Sequence, residues 1–140
     1  MSARVFFDTN VLVYAYDIDS GLKQRTAEAM LLRARQDRSG AVSMQVLQEF
    51  YVTVTRKLTS PLLKEEARAV VEDFAYWCVE TTPQEIKHAF RIEDEARIGF
   101  WDALIVASAV KAGATRILSE DLNAGPVIAG IQVENPFAVP

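Results

Sequence analysis

Apolar positions along this chain switch between two spacings. Val5-Phe6-Phe7 is an unbroken apolar run of strand formers that stops at Asp8-Thr9-Asn10, which predicts a buried strand and a turn. Val11 to Tyr16 follows as a short helix. A second helix starts near Ser20, its expected N-cap, runs through Ala27, Met30, Leu31 and Ala34, and stops at Ser39-Gly40. Ala41 to Met44 is a second strand. Val46, Leu47, Phe50, Val54 and Leu58 recur at helical spacing, and Thr59-Ser60-Pro61 breaks that helix. Lys64 to Phe74 is a fourth helix, with Ala67, Val70, Val71 and Phe74 on one face. Cys78 to Thr81 reads as a third strand, and Thr82-Pro83 as a helix start with Thr82 as N-cap. Phe100 to Lys111 is apolar nearly all round, hence a buried helix, closed by Gly113. Arg116 to Ser119 and Ile131 to Val133 complete five strands. Strands alternating with helices predict an α/β fold, a largely parallel sheet covered on both faces.

Length and composition narrow this further. A chain of 140 residues, half of them hydrophobic, fits one domain over residues 1–140 with a substantial core. One cysteine, Cys78, excludes an internal disulfide framework and a Cys-rich zinc site. One histidine, His88, argues against a His-based metal cage or a Ser-His-Asp triad. No apolar run reaches the ~20 residues of a membrane span. The first apolar run ends at Asp8, too early for a secretory signal, so a cytoplasmic location is expected. There is neither a Gly-x-x-x-x-Gly-Lys loop nor a Gly-x-Gly-x-x-Gly, and nucleotide-cofactor folds lack support. The net charge of −4 excludes a wholesale basic nucleic-acid binder, but not an enzyme acting on nucleic acid at one place.

Four acids sit where charge is unexpected. Asp8 directly follows a buried strand, where it equally serves as an Asx-turn or helix cap. Asp121 stands in the same relation to the fourth strand. In open α/β sheets ligands bind beyond the carboxyl ends of strands where strand order reverses, so two such carboxylates share a crevice if their strands are neighbours there. Asp102 opens the apolar helix; the helix dipole favours it, yet its turn is expected to be buried, where an unpaired carboxylate is costly. Glu49 lies at one edge of the third helix's apolar stripe, a place where a lone Glu is usually solvated. Converging carboxylates repel unless a cation holds them, and all-oxygen ligands select Mg²⁺ or Mn²⁺ over zinc.

Val5-Phe6-Phe7-Asp8-Thr9-Asn10, Glu49 in a helix, Phe100-Trp101-Asp102-Ala103-Leu104-Ile105 and Ile117-Leu118-Ser119-Glu120-Asp121-Leu122 follow the order and spacing of PIN-domain nucleases, which the chain resembles over nearly its whole length. Leu122-Asn123-Ala124-Gly125, followed by Gly130 to Phe137, looks like the VapC-type toxins of bacterial toxin–antitoxin pairs. The resemblance implies a three-layer α/β/α sandwich with a five-stranded parallel sheet and metal-dependent endoribonuclease activity. It maps the four family acids onto Asp8, Glu49, Asp102 and Asp121, and the accompanying polar residues onto Asn10 and Ser119. Family members commonly carry Thr at the position of Ser119, which keeps the hydroxyl. On this basis Asp8, Asp102, Asp121 and Glu49 hold Mg²⁺ or Mn²⁺, with Asn10 and Ser119 fixing carboxylate geometry. The resemblance further implies an RNA substrate, a small antitoxin partner and a homodimer.

Lys23, Arg25, Arg33, Arg35 and Arg38 crowd the second helix, either as a solvated face or as a basic flank in which Arg33 and Arg35 hold RNA phosphates. Trp101, Tyr14, Tyr16, Phe50 and Tyr51 read as packing residues rather than base-stacking platforms. The rival readings are a housekeeping RNA-processing nuclease, a catalytically inactive binding domain and a phosphoacceptor signalling domain. The last needs a phosphorylatable Asp after the third strand, where Glu80-Thr81-Thr82 stands. Setting the four site acids aside from the 19 leaves 15 against 15 Lys and Arg, so the net charge has the size of the proposed cluster.

Overall fold

A computed structural model of the protein describes residues 3–122 and 127–138. Its elements run β1 (Arg4–Phe7), α1 (Thr9–Tyr16), α2 (Leu22–Asp37), β2 (Gly40–Ala41), α3 (Met44–Arg56), α4 (Lys64–Phe74), α5 (Pro83–Ala96), α6 (Phe100–Lys111), β3 (Ala114–Leu118), β4 (Val127–Ile128) and β5 (Ile131–Glu134). The strands form one sheet in the order β2-β1-β3-β5-β4. β1 pairs in parallel with β2 and β3, and β3 with β5, while β4 runs antiparallel to β5. Helix α1 packs on α2 and α3, and α3 on α4; α5 packs on α6, which lies against β3 and β5. The result is the α/β/α sandwich expected. No helix among the described residues is long and apolar enough to cross a membrane.

Two strand expectations need correction. Cys78 to Thr81 is not a strand: Ala75–Trp77 form a single 3-10 turn, and only Cys78 bridges to Val42, in parallel. Two backbone bonds at Val42 close that bridge, from Val42 N to Trp77 O (3.0 Å) and from Val79 N to Val42 O (2.9 Å). The segment then leaves to begin α5. The short antiparallel β4 has no alternation long enough to signal it and exists because β5 offers it a free edge. Residues 123–126, including part of the toxin-like stretch after Leu122, lie outside the described residues.

Helix ends follow local chemistry. Asp8 caps α1, and the Ser43 hydroxyl accepts from Val46 N (3.3 Å) at the start of α3, two residues before the apolar stripe begins. Thr82 and Glu85 form a capping box at α5, as Thr82-Pro83 promised. Helix α2 instead starts after Gly21, because the Ser20 hydroxyl turns back onto the carbonyls of Tyr14 and Asp17. Gly113 ends the turn after α6 at φ 76°, a conformation favouring glycine.

Phe6, Phe7, Leu12, Phe50, Ile117 and Leu118 are fully buried in the core. Trp77 stacks on Phe7 at 5.7 Å between ring centres and meets Phe74 edge-on at 5.2 Å. Gly40 at the head of β2 lies beneath this indole, and a Cβ there would stand 2.5 Å from the ring. With the indole pinned by two aromatics, Gly40→Ala should destabilise the fold by roughly 1–3 kcal/mol, the usual cost of overpacking. Urea unfolding measures this; a variant within error of the parent would show that the indole moves freely.

Candidate active site

The strand order reverses at β1: its chain neighbour β2 lies on one side and β3 on the other. The carboxyl ends of β1 and β3 therefore stand side by side at the switch point, the place where ligands bind in such sheets. Asp8 leaves β1 there and Ser119-Glu120-Asp121 leave β3. Asp8 N donates to Leu118 O (3.0 Å), fastening the two strand ends.

Asp8 is buried, being only 8% exposed. One carboxylate oxygen accepts from Thr9 N (2.8 Å), capping α1, and the other from the Ser119 hydroxyl (2.8 Å). Burial raises its pKa from 3.8 to about 6; the bonds from Ser119 and Thr9 pull it down, and the charges of Glu49 and Asp102 push it up. Asp102 is likewise held above its ordinary range, by desolvation and then by the charge of Asp121. Asp8, just after β1, thus feels Glu49 on α3 and Asp102 on α6, and Asp102 in turn feels Asp121, beyond the end of β3.

Asn10 joins the two sides of this crevice. Its amide nitrogen donates to Asp121 Oδ2 (3.2 Å) and to Ser119 Oγ (3.4 Å), and its oxygen accepts from Glu120 N (3.0 Å). The Ser119 hydroxyl, wholly buried, also accepts from the backbone N–H groups of Asp121 and Leu122 (both 3.2 Å). Asn10 and Ser119 are thus each hydrogen-bonded to one of the candidate acids, Asp121 and Asp8 respectively.

Asp102 departs from expectation in one respect. The interior of α6 is buried, but Trp101 and Asp102 in its first turn are both exposed. Glu49 is exposed on α3.

The basic residues are placed differently from the expected flank. Arg33 pairs with Asp37 (3.9 Å) and lines a cavity with Ala3, Ser39, Thr115 and Arg116, beside the amino ends of the strands. Arg35 lies over the Phe74 ring at 4.8 Å. Neither stands beside the carboxylates. The reason is length: α2 spans 16 residues, roughly 24 Å at 1.5 Å per residue, so its two ends serve opposite ends of the sheet.

The base that does reach the crevice is Lys23, at the other end of α2. It pairs with Glu120 (2.6 Å), which also accepts from the Tyr14 hydroxyl. Lys23 further lies over the Tyr14 ring at 4.9 Å, and Phe137 packs edge-on to Tyr14 at 5.0 Å. Tyr14 was legible in principle, four residues after Asn10 and so on the same face of α1. Lys23 carries no signal that separates it from the other bases of its helix.

Among the described residues the ion pairs are Lys23–Glu120, Arg33–Asp37 and Arg116–Glu134. None reaches Asp8, Glu49, Asp102 or Asp121. Nor, among the described residues, do three acid, His or Cys side chains converge tightly enough to cage an ion by themselves.

The raised pKa of Asp8 has a consequence for stability. The unfolded chain releases this proton near 3.8 and the folded one near 6, so folding takes up a proton in between. The group's contribution is most favourable below pH 4, declines as pH rises to 6, and above that costs the metal-free fold about 3 kcal/mol. Asp8→Asn should remove that decline, seen as a flatter plot of unfolding free energy against pH in chelator. An unchanged slope would show that Asp8 ionises normally.

Residues 5–124 match the PIN domain. No curated protein matches the sequence. Among solved structures the chain is similar to a toxin–antitoxin complex from Klebsiella pneumoniae, at 20% identity and TM-score 0.71, covering 99% of this chain and 100% of that one. It is similar to DNA-bound VapBC from Salmonella typhimurium, at 22% identity and TM-score 0.64, covering 96% and 99%. A third is VapBC2 from Rickettsia felis bound to a promoter DNA fragment, at 18% identity and TM-score 0.62, covering 94% and 97%. The matched segment takes in all four acids, Asn10 and Ser119, and the chain belongs to the PIN-domain family of nucleases.

Proposed function

We propose that the protein is a Mg²⁺- or Mn²⁺-dependent endoribonuclease and the toxin of a toxin–antitoxin pair. One observation carries the nuclease reading. Burial and neighbouring charge hold Asp8 and Asp102 above the usual carboxylate range, Glu49 and Asp102 acting on Asp8 and Asp121 on Asp102, and no Lys or Arg among the described residues is paired with any of the four. Stability alone does not retain such an arrangement; a divalent cation relieves it. The donors are all oxygen, which suits Mg²⁺ or Mn²⁺, and Mg²⁺ tolerates an open set because it keeps several of its waters.

In this reading Asp8, Asp102 and Asp121 hold the ion, with Glu49 binding it or a water. When bound, the ion acidifies water and stabilises charge on the attacking and leaving oxygens of a phosphodiester. The chain's own residues do the rest. Ser119 and the capped start of α1 fix both oxygens of Asp8, so the carboxylate cannot rotate away. Asn10 turns Asp121 toward the crevice. Glu49, exposed on α3, accepts the proton of the attacking water. Lys23 and Tyr14 hold Glu120 aside.

The toxin reading draws on the solved structures of the same fold, described as toxin–antitoxin or VapBC complexes. It brings a small antitoxin that covers the crevice, a second copy of this chain and action in the cytoplasm. Expression alone should arrest bacterial growth, and co-expression of a small neighbouring gene product should restore it. Growth without arrest, alongside RNA cleavage in vitro, would favour a housekeeping nuclease.

The nuclease reading is tested with purified protein, total RNA and Mg²⁺ or Mn²⁺. Asp8→Asn and Asp102→Asn should abolish cleavage. Glu49→Gln should slow it on the order of 10²–10⁴-fold, as for loss of a positioned proton acceptor. Ser119→Ala should cost about 10–100-fold, as for loss of a partner that orients a metal ligand. Undiminished cleavage in Asp102→Asn would overturn the assignment. Saturating Mg²⁺ should also raise the melting temperature, by binding the folded state alone, and this gain should vanish in Asp8→Asn.

A further inference from the structure

Trp101 is expected in the core but is 66% exposed, one residue before Asp102 on the first turn of α6. An indole held in water beside a catalytic acid calls for a reason. Its position is fixed from behind: the Phe100 ring meets it edge-on at 5.2 Å, and Phe100 in turn leans on Phe90 at 5.8 Å. Across from it α3 presents Gln45, Gln48 and Glu49, and these three with Trp101 line a groove. The Gln45 amide oxygen is buried without a hydrogen-bond partner. Glu49 and Trp101 tie this groove to the candidate acids, Glu49 being one of them and Trp101 adjoining Asp102.

We propose that this groove is a base-binding subsite, in which Trp101 stacks on a nucleobase next to the scissile phosphate and Gln45 and Gln48 read its edge. The inference rests on the ribonuclease reading and adds the part of the substrate that is recognised. Three features favour a base over other occupants. The groove has one flat aromatic wall, which every base can stack on. It carries two planar amides, each able to donate and accept, which match the mixed donors and acceptors of a base edge. It has Glu49 at its rim, Asp102 adjacent and no cation in its lining, so the anionic backbone is repelled while the neutral base is not. Turning the Gln45 amide toward the groove satisfies its unmet oxygen against a ring N–H or exocyclic amine. Stacking supplies affinity, and the amides supply preference among bases.

The test uses two arms. In the first, a cleaved single-stranded RNA is compared with versions carrying one abasic nucleotide on either side of the cut. Trp101→Ala should lower kcat/KM roughly ten- to hundredfold, the range for loss of one base–aromatic stack, and Trp101→Phe should largely restore it. One abasic position should slow the parent by a similar factor and leave Trp101→Ala unaffected. Gln45→Ala should change which base is preferred at that position. In the second arm, Asp8→Asn protein with Mg²⁺ is mixed with short single-stranded RNA, and indole emission is read against the same protein carrying Trp101→Phe, whose remaining indole, Trp77, is buried. Base-bearing RNA should quench the difference signal and fully abasic RNA should not. Absent quenching, or equal abasic penalties in the parent and Trp101→Ala, overturns the subsite. Loss of self-association in Trp101→Ala with cleavage unchanged assigns the face to a protein contact and overturns it as well. If the parent cleaves no RNA, the ribonuclease reading fails, and the quenching arm still decides the groove.

Discussion

A carboxylate at the end of a fully apolar strand is the constraint around which this structure is arranged. Phe6 and Phe7 are buried completely, so the residue after them inherits a poorly solvated position. Asp8 occupies it and must find partners locally. It finds the first N–H of α1 and the hydroxyl of Ser119, and through them it ties strand, helix and the end of β3 into one junction. Those bonds offset part of the desolvation cost without cancelling it, as the raised pKa shows. In the proposed reading a bound cation would relieve that cost.

Two adjacent acids show how finely the surroundings sort charge. Burial pushes Glu120 up, but hydrogen bonds from Lys23 and Tyr14 outweigh it and hold the carboxylate low, tied to the α1–α2 side. Asp121, one residue on, accepts instead from the neutral amide of Asn10. The turn after β3 thus sends two neighbouring acids to different partners.

The polarity of the helices does similar sorting over longer distances. Helix α2 brings Lys23 to the carboxyl ends of the strands and carries Arg33 to their amino ends, although both bases read as one patch in sequence. The middle of helix α6 is buried, yet Trp101 and Asp102 in its first turn are exposed. Periodicity averages over a whole helix and says nothing of a single terminal turn, which is why both were expected to be buried.

Much of the fold was legible because it depends on short-range chemistry. Apolar runs ending in Asp8 and Ser119-Glu120-Asp121, the Thr82-Pro83 helix start and the Gly113 stop each follow from propensities of a few neighbouring residues. The four acids stood out for the same reason, as charges at the ends of apolar segments. The sequence by itself determined all the helices, most of the strands, their order and the candidate acids. Tertiary structure alone decided the rest: that β1 and β3 are neighbours at the strand reversal, that Cys78 makes a bridge and not a strand, that Lys23 and not Arg33 or Arg35 reaches the crevice, and that Trp101 faces water. These depend on which distant segments share space. Pairing across more than a hundred residues, as between Asp8 and Ser119, is set by the packing of the whole sheet and leaves no local trace.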